Sequence, residues 1–200
     1  MRNAPSFALL FGLSIGNIAL AEEASSEFAE NSINVGVSPF GGSISYGYAL
    51  NERTTIQATI GGLPSSELLD LDIEGTTYTV TSGSSWAGGF INHRPVATAD
   101  WFRLSFGLGF GVIRNNLVDG DGNTYDVHYR EAPVAYTGVG FGFKPKKGLQ
   151  YGLDIGGLFG SGADIIADPA NTSDASDDIA ASPMAADILP NFQLGIGWGF

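Results

Sequence analysis

The sequence predicts an all-β protein, an eight-stranded antiparallel transmembrane β-barrel with up-and-down connections. Large apolar residues alternate with glycine or small polar residues in segments that recur from residue 31 to residue 200. No segment shows sustained helical periodicity, and the connections between the alternating segments are mostly short and long in turn. Short turns at one end and long loops at the other are typical of outer-membrane barrels, whose smallest strand number is eight.

The N-terminus has the pattern of a cleaved secretory signal peptide. Arg2 precedes a mostly apolar segment over residues 7–20, and Ala19 and Ala21 form the small-residue cleavage pattern. The alternative is a short buried helix. The predicted organisation is a signal peptide (1–21), a periplasmic N-terminal segment (22–30) and an outer-membrane β-barrel (31–200).

The first four strands are each marked by alternating apolar residues. The first covers 31–38, and a tight connection at 39–42 leads to the second at 43–50. A short turn at 51–53 precedes the third strand, and a long polar connection at 63–83 precedes the fourth at 84–93. In chain order, the apolar sets are Ile33, Val35 and Val37; Ile44, Tyr46, Tyr48 and Leu50; Ile56, Ala58 and Ile60; and Trp86 and Phe90.

The last four strands follow the same rule. The fifth and clearest, 101–113, alternates aromatic or aliphatic residues with Arg103, Ser105 and three glycines. The sixth at 133–143 has Val139, Phe141 and Phe143 on its apolar face. The seventh and eighth cover 149–160 and 188–200. A turn at 94–100 precedes the fifth strand and one at 144–148 the seventh, whereas the connections at 114–132 and 161–187 are long and acidic.

The apolar face of these strands is predicted to contact lipid. Only Arg103 and Asp154 are firmly charged in the predicted strands, and a face so poor in charge is unsuited to the surface of a soluble barrel. The rows of aromatic residues also exceed what an eight-stranded interior accommodates. Trp86, Trp101 and Trp198 lie near strand ends, where aromatic residues favour membrane interfaces. The alternative is that the tryptophans cap a soluble core.

A barrel in lipid must close, because every backbone polar group needs a partner there. Residues 33–35 are therefore predicted to pair with the last strand. With both termini in the periplasm, the short turns are periplasmic and contain most of the basic residues. The long loops are then extracellular and contain 14 of the 21 acidic residues, namely Glu67, Asp70, Asp72, Glu74, Asp119, Asp121, Asp126, Glu131, Asp164, Asp168, Asp174, Asp177, Asp178 and Asp187.

The strand patterns resemble those of a known family. The segments concerned are residues 36–42, 46–51, 101–107, 132–140 and 148–156, together with Pro190 and Phe200. They are similar to small Gram-negative outer-membrane barrels of the ornithine-porin (CarO) type, within the wider OmpW-like class. The resemblance implies an integral outer-membrane protein and a passive channel for small solutes. It also implies contact with outer-membrane lipid, lipopolysaccharide and the barrel-assembly machinery, with no cofactor, no catalytic residues and no nucleic-acid partner.

Two features of the sequence bear on which solutes such a channel would pass. Arg103 and Asp154 face inward on alternate strands, where opposite charges form either a gate or selectivity element or a structural ion pair that plugs a closed barrel. The acidic loops favour small cationic solutes such as basic amino acids, since a field of one sign concentrates counter-ions. They are equally compatible with divalent cations at the lipopolysaccharide surface, or with a solvated loop surface that binds no ligand.

Two weaker motifs lie in the long loops. Asp119, Asp121 and Asn123 have the spacing of the start of a calcium loop, but Thr124 and Arg130 occupy positions that the motif reserves for glycine and glutamate. A simple Asp-Gly turn is the alternative. A hydrolase arrangement would join a serine to His128 and Glu131, although no spacing singles this out.

The C-terminal strand carries a predicted assembly signal. Trp198 and Phe200 alternate with glycines and are expected at the periplasmic interface. Their pattern resembles the C-terminal signature by which outer-membrane barrels are recognised for assembly. A closed structural barrel, or one that presents its acidic loops to partners, remains the competing interpretation to a channel.

Overall fold

The computed structural model describes residues 27–129 and 133–200. The predicted signal peptide (1–21) and residues 22–26 of the predicted periplasmic segment lie outside the described residues. The strands are β1 (Asn31–Ser38), β2 (Gly41–Asn51), β3 (Thr54–Ile73), β4 (Thr76–His93), β5 (Phe102–Asp119), β6 (Thr124–Tyr129), β7 (Val134–Gly142), β8 (Gly148–Phe159), β9 (Asp164–Ala167) and β10 (Ile188–Gly199).

Eight of these strands form a closed antiparallel ring, which confirms the predicted fold class. Around the ring the order is β1, β2, β3, β4, β5, β7, β8, β10 and back to β1. The predicted closure is also confirmed, since Ile33 pairs with Trp198 and Val35 pairs with Ile196. Asn31 and Phe200 extend this seam with two backbone hydrogen bonds of 3.0 and 2.8 Å. No edge is left open within the ring, as a hydrocarbon environment requires.

In most strands the apolar face points outward and the face of small and polar residues points into the lumen, as predicted. Tyr151, Ile60 and Phe192 are 75%, 61% and 58% exposed on the outside of the barrel, and they have many apolar neighbours there. Small polar side chains such as Ser45, Thr59 and Ser105 are buried inside. Trp101 and Trp198 are exposed and lie at the ends of β5 and β10, as expected.

Trp86 is an exception, and its predicted position at the membrane interface is wrong. It pairs with Gly61 on β3 and Gly111 on β5, and all three residues face the lumen. A Cβ atom at Gly61 would approach the indole of Trp86 to 2.5 Å, so the indole occupies space that this glycine leaves free, and a Cβ at Gly111 would lie 2.5 Å from the Cβ of Trp86. Its Nε1 donates a hydrogen bond of 3.2 Å to the carbonyl oxygen of Phe40. Phe90 faces inward on the same strand.

The three long connections, which the sequence predicts as loops, are largely folded. Strands β3 and β4 continue through residues 63–83 as one long hairpin, and its turn at Glu74 and Gly75 uses positive φ angles. The connection at 114–132 contains the end of β5 and β6, and the connection at 161–187 contains β9 and the helix α1 (Ser176–Ala181). Because threonine alternates with Tyr78 and Val80 there, the 76–82 segment has strong strand propensity.

These elements build a small folded head on one end of the barrel. Its core consists of fully or nearly fully buried apolar side chains, namely Ile73, Tyr78, Val80, Leu117, Tyr125, Val127 and Ile179. We call this end the head end and the opposite one, where residues 27–30 and the short turns lie, the turn end. Short 3-10 helices span Ala97–Ala99 and Pro183–Ala185. No helix among the described residues combines the length and apolarity needed to cross a bilayer.

Candidate functional site in the barrel lumen

The structure brings Arg103 and Asp154 together as an ion pair inside the barrel. Arg103 on β5 pairs with Gly140 on β7, and Gly140 pairs in turn with Asp154 on β8. The three inward positions therefore form one row, and a Cβ at Gly140 would lie 2.5 Å from Asp154 Oδ1. The Nη2 atom of Arg103 contacts Asp154 Oδ2, and the two side chains are only 4% and 17% exposed.

Polar side chains surround this pair and connect it to the neighbouring strands. Arg103 Nη1 donates to the carbonyl oxygen of Gly142 at 3.2 Å. The Ser105 hydroxyl lies 2.7 Å from Asn92 Oδ1 and 3.2 Å from Asp154 Oδ1. The amide of Asn92 donates to Gln57 Oε1 at 3.1 Å. A continuous polar layer thus crosses the lumen from β3 to β8.

Phe143 closes the lumen below this layer, although the sequence predicts it on the lipid-facing side. Phe143 follows the last residue of β7 and has a φ angle of 48°, in the left-handed region that non-glycine residues rarely adopt. This conformation turns its ring inward, where Cβ atoms at Gly152 and Gly195 would approach it to 2.5 and 2.8 Å. The guanidinium carbon of Arg103 lies 5.0 Å from the ring centroid, within the range of a cation–π interaction.

Arg94 completes the floor of the lumen. It follows β4 and is 2% exposed, although its place in the sequence predicts a basic residue of the periplasmic turns. Its Nη2 donates to the carbonyl oxygen of Phe143, and its Nε donates to that of Asp100 at 3.1 Å. Burial, together with the nearby charge of Arg103, lowers the pKa of Arg94 to about 10. The period-two pattern, continued two residues beyond the inward Asn92, would have placed Arg94 inside.

The polar layer separates two cavities of different size. A cavity of about 120 Å³ lies on the head side, and its lining includes Trp86, Phe90 and Tyr136. A cavity of about 20 Å³ lies on the turn side, next to Arg94 and Phe143. Gln57 and Asn92 contact both, which identifies their layer as the division. Because a single water needs roughly 10–15 Å³ of such volume, the lower cavity holds about one water.

The residues of the predicted calcium loop are held by protein hydrogen bonds. The carboxylate of Asp119 accepts hydrogen bonds from the backbone N–H groups of Asp121 and Asn123 and from the Asn123 side chain. Asn123 Oδ1 in turn accepts hydrogen bonds from Thr172. In residues 27–129 and 133–200, no group of three or more potential metal ligands is found. Calcium binding by Asp119, Asp121 and Asn123 stays a prediction.

The remaining predicted residues lie outside the lumen. His128 on β6 has Arg114 and Asp164 as its cross-strand neighbours, and neither is the serine that the hydrolase arrangement requires. Glu131, its predicted partner, lies outside the described residues. Trp198 and Phe200 are 58% and 50% exposed on the outer surface at the turn end. Their role in assembly stays a prediction.

Comparison with known proteins identifies solved structures that have a similar fold. No protein-family model matches the chain, and no curated protein matches it. The crystal structure of Acinetobacter baumannii CarO is similar with a TM-score of 0.63 and 16% identity, covering 86% of this chain and 98% of CarO. Acinetobacter baumannii CarO2 gives a TM-score of 0.65 and 17% identity, with 87% and 100% covered. This chain therefore has a CarO-like outer-membrane barrel fold.

A third structure extends the CarO-like likeness to another bacterium. A major outer membrane protein from Thermus thermophilus is similar with a TM-score of 0.54 and 13% identity, covering 87% of this chain and 100% of that chain. None of the three similar proteins is named as an enzyme. The resemblance to small outer-membrane barrels is thereby confirmed at the level of the fold.

Proposed function

We propose that this protein is an integral outer-membrane barrel with a closed lumen that presents its folded head at the cell surface. The observation that carries this proposal is the lower lumen, where the space beneath the Arg103–Asp154 pair shrinks to a cavity of about 20 Å³. Phe143 and Arg94 fill the cross-section below that pair. A hydrated ion or an amino acid needs far more room than one water molecule.

The folded head supports the surface role. Loops that only connect strands are usually mobile and polar, whereas this head has its own apolar core, which includes Leu117, Tyr125 and Ile179. The head also contains most of the acidic residues of the chain. A rigid acidic surface is suited to partners of positive charge, including divalent cations bound to lipopolysaccharide.

The second candidate is a gated channel for small cationic solutes. One observation favours it, since the plug consists of side chains of the wall and of the turns at its end. Side chains change rotamer far faster than a folded domain leaves a pore. In this alternative, Arg103 and Asp154 are the selectivity residues predicted from the sequence.

Single-channel recording on purified protein in a planar lipid bilayer separates the two. We expect no conductance above that of the protein-free bilayer for the wild type. Phe143→Ala removes the ring below the ion pair and should raise the conductance, whereas Phe106→Ala on the exposed outer face should not. Frequent wild-type openings with cation preference would contradict the closed barrel and support the channel.

A further inference from the structure

The head-side cavity has the size of a single ring. Its volume is about 120 Å³, and its apolar lining includes Trp86, Phe90, Tyr136 and Leu158. For comparison, an apolar cavity of about 150 Å³ in another protein binds benzene. Phe90 and Tyr136 already meet edge to face, with their centroids 5.6 Å apart. An aromatic ring would find the same favourable geometry against these walls.

The floor of this cavity contains an oxygen that lacks a full set of donors. The Ser105 hydroxyl has one proton, and its nearer acceptor is Asn92 Oδ1 at 2.7 Å, whereas Asp154 Oδ1 lies at 3.2 Å. Arg103 contacts the other oxygen, Oδ2. A carboxylate oxygen accepts about two hydrogen bonds. Asp154 Oδ1 therefore has capacity for a donor that enters from the cavity.

The charged groups of the polar layer favour a neutral hydrogen-bond donor over a cation as the ligand group. Arg103 contacts Asp154 and Arg94 lies near both, whereas Asp187, the other carboxylate of the cavity lining, lies at the head end beside the start of β10. An ammonium group placed on Asp154 would lie close to these two guanidinium groups in a buried site, where Coulomb energies are large. A hydroxyl group donates the same hydrogen bond without that cost.

The cavity has a route to the head end. A second pocket of about 160 Å³ lies at the mouth of the barrel. Phe40, Ile113, Tyr129 and Leu189 line both spaces. The two spaces therefore adjoin, and together they extend from the mouth of the barrel to the ion pair.

We propose that the upper lumen is a binding site for a small neutral aromatic alcohol of the phenol class. The ring packs among Trp86, Phe90 and Tyr136, and the hydroxyl donates to Asp154 Oδ1. This site goes beyond the closed-barrel proposal, because binding above the plug and conductance through it are measured separately. A barrel that conducts in the bilayer experiment still gives an independent result in the binding experiment.

The test is a 19F NMR titration of the full barrel in detergent with 4-fluorophenol as the probe. Two glycines form a matched pair, since Gly109 lines the cavity and Gly89, on the adjacent strand, faces outward. A Cβ at Gly109 meets its nearest surrounding atom at 3.5 Å, and a Cβ at Gly89 meets nothing within 4 Å, so both positions accept a side chain. We expect saturable binding to the wild type and to Gly89→Val, and an affinity at least about tenfold lower for Gly109→Val.

Two further probes test the chemistry of the site. Fluorobenzene lacks the donor and should bind about tenfold more weakly or worse, as expected for the loss of a hydrogen bond to a charged group. 4-Fluorobenzylammonium should not compete with 4-fluorophenol.

Gly109→Ala provides a smaller change should the valine variant fail to fold, and it should weaken binding in the same direction. A signal that never saturates would show that the probe partitions into detergent. Equal signals in all variants would show that the cavity contains water only. Either result would overturn the proposal. Tighter binding of the ammonium probe would also overturn it.

Discussion

Arg103 and Asp154 meet inside the barrel because Gly140 occupies the position between them. The three residues form one inward row across β5, β7 and β8. Any side chain at the middle position would occupy the space in which the guanidinium and the carboxylate meet, since even a Cβ would lie 2.5 Å from Asp154 Oδ1. The pair is therefore a product of three strands, and its strength can be measured by substitution.

Breaking the ion pair from one side should destabilise the barrel strongly. Arg103→Met or Asp154→Asn leaves one buried partner without its counter-charge, which costs about 3–5 kcal/mol in buried pairs. The double variant Arg103→Met, Asp154→Asn combines the two single changes, removes both charges and should cost less than either single change. Urea unfolding of the protein in lipid vesicles gives the three free energies. Additive costs would contradict a direct interaction between the two residues.

The inward orientation of Trp86 should appear in its fluorescence. Three variants that each retain one tryptophan, at position 86, 101 or 198, can be refolded into vesicles of brominated lipid, which quenches an indole that it touches. We expect strong quenching of Trp101 and Trp198, which are 51% and 58% exposed on the outer surface. Trp86 lies between Gly61 and Gly111 inside the wall and should keep most of its emission. Equal quenching of all three would show that Trp86 faces lipid.

The head should unfold separately when its core is truncated. Leu117 is fully buried, and leucine-to-alanine changes in cores cost about 2–5 kcal/mol. Leu117→Ala should make residues 161–187 sensitive to proteinase K while the barrel itself stays protected. Val118→Ala, on the opposite face of the same strand, is the matched control and should leave the head resistant. Cleavage of the wild type at the same rate as the Leu117 variant would contradict a folded head.

The N-terminal segment should loosen at low pH. Glu27 accepts a hydrogen bond of 2.6 Å from Lys147, and this partner lowers the pKa of Glu27 below its usual value of 4.5. A carboxyl group with a lowered folded pKa stabilises the fold above its unfolded pKa, and that contribution is lost as the pH falls through the folded pKa. Hydrogen exchange of the amide of Ala29, bonded to the Pro145 carbonyl oxygen, should therefore rise relative to its intrinsic rate as the pH falls below 4.5.

Substitution at Glu27 provides the control for this effect. Glu27→Gln cannot lose a charge, so the protection of Ala29 should be lower at neutral pH and should change little on acidification. The same acid-dependent loss of protection in the glutamine variant would assign it to a different group.

The sequence predicts the membrane strands well because lipid imposes a simple rule on their outer face. Residues such as Val35, Tyr151 and Ile196 must be apolar there, while their neighbours along the strand can be small, and this contrast is visible at period two. Between residues 63 and 83 the rule changes, since that segment lies in the head and neither face contacts lipid. Its strands alternate threonine with Tyr78 and Val80, a weaker contrast that resembles a polar loop.

The candidate site is predictable only in part. Arg103 and Asp154 stand out in the sequence because charges are rare in the strands, and their inward direction follows from alternation. The sequence does not identify Phe143 as a lumenal residue because period two places it on the lipid-facing side of the sixth strand. Arg94 is missed because the predicted fourth strand ends at residue 93, although period two extended from the inward Asn92 reaches it. The left-handed φ angle of Phe143 decides its direction, and a phenylalanine gives no indication of that conformation in the sequence.

By itself, the sequence determined that this chain forms a closed barrel of eight strands with an apolar exterior. This was possible because alternation along one strand is a local property. Only the tertiary structure decided what fills the interior, since each inward space is shared by residues from different strands. The indole of Trp86 fits inside because Gly61 on the neighbouring strand has no side chain, and the ion pair forms because Gly140 lies between its partners. The space beside a glycine on one strand meets a given side chain on the next strand only in one register. The pattern of a single strand does not specify that register.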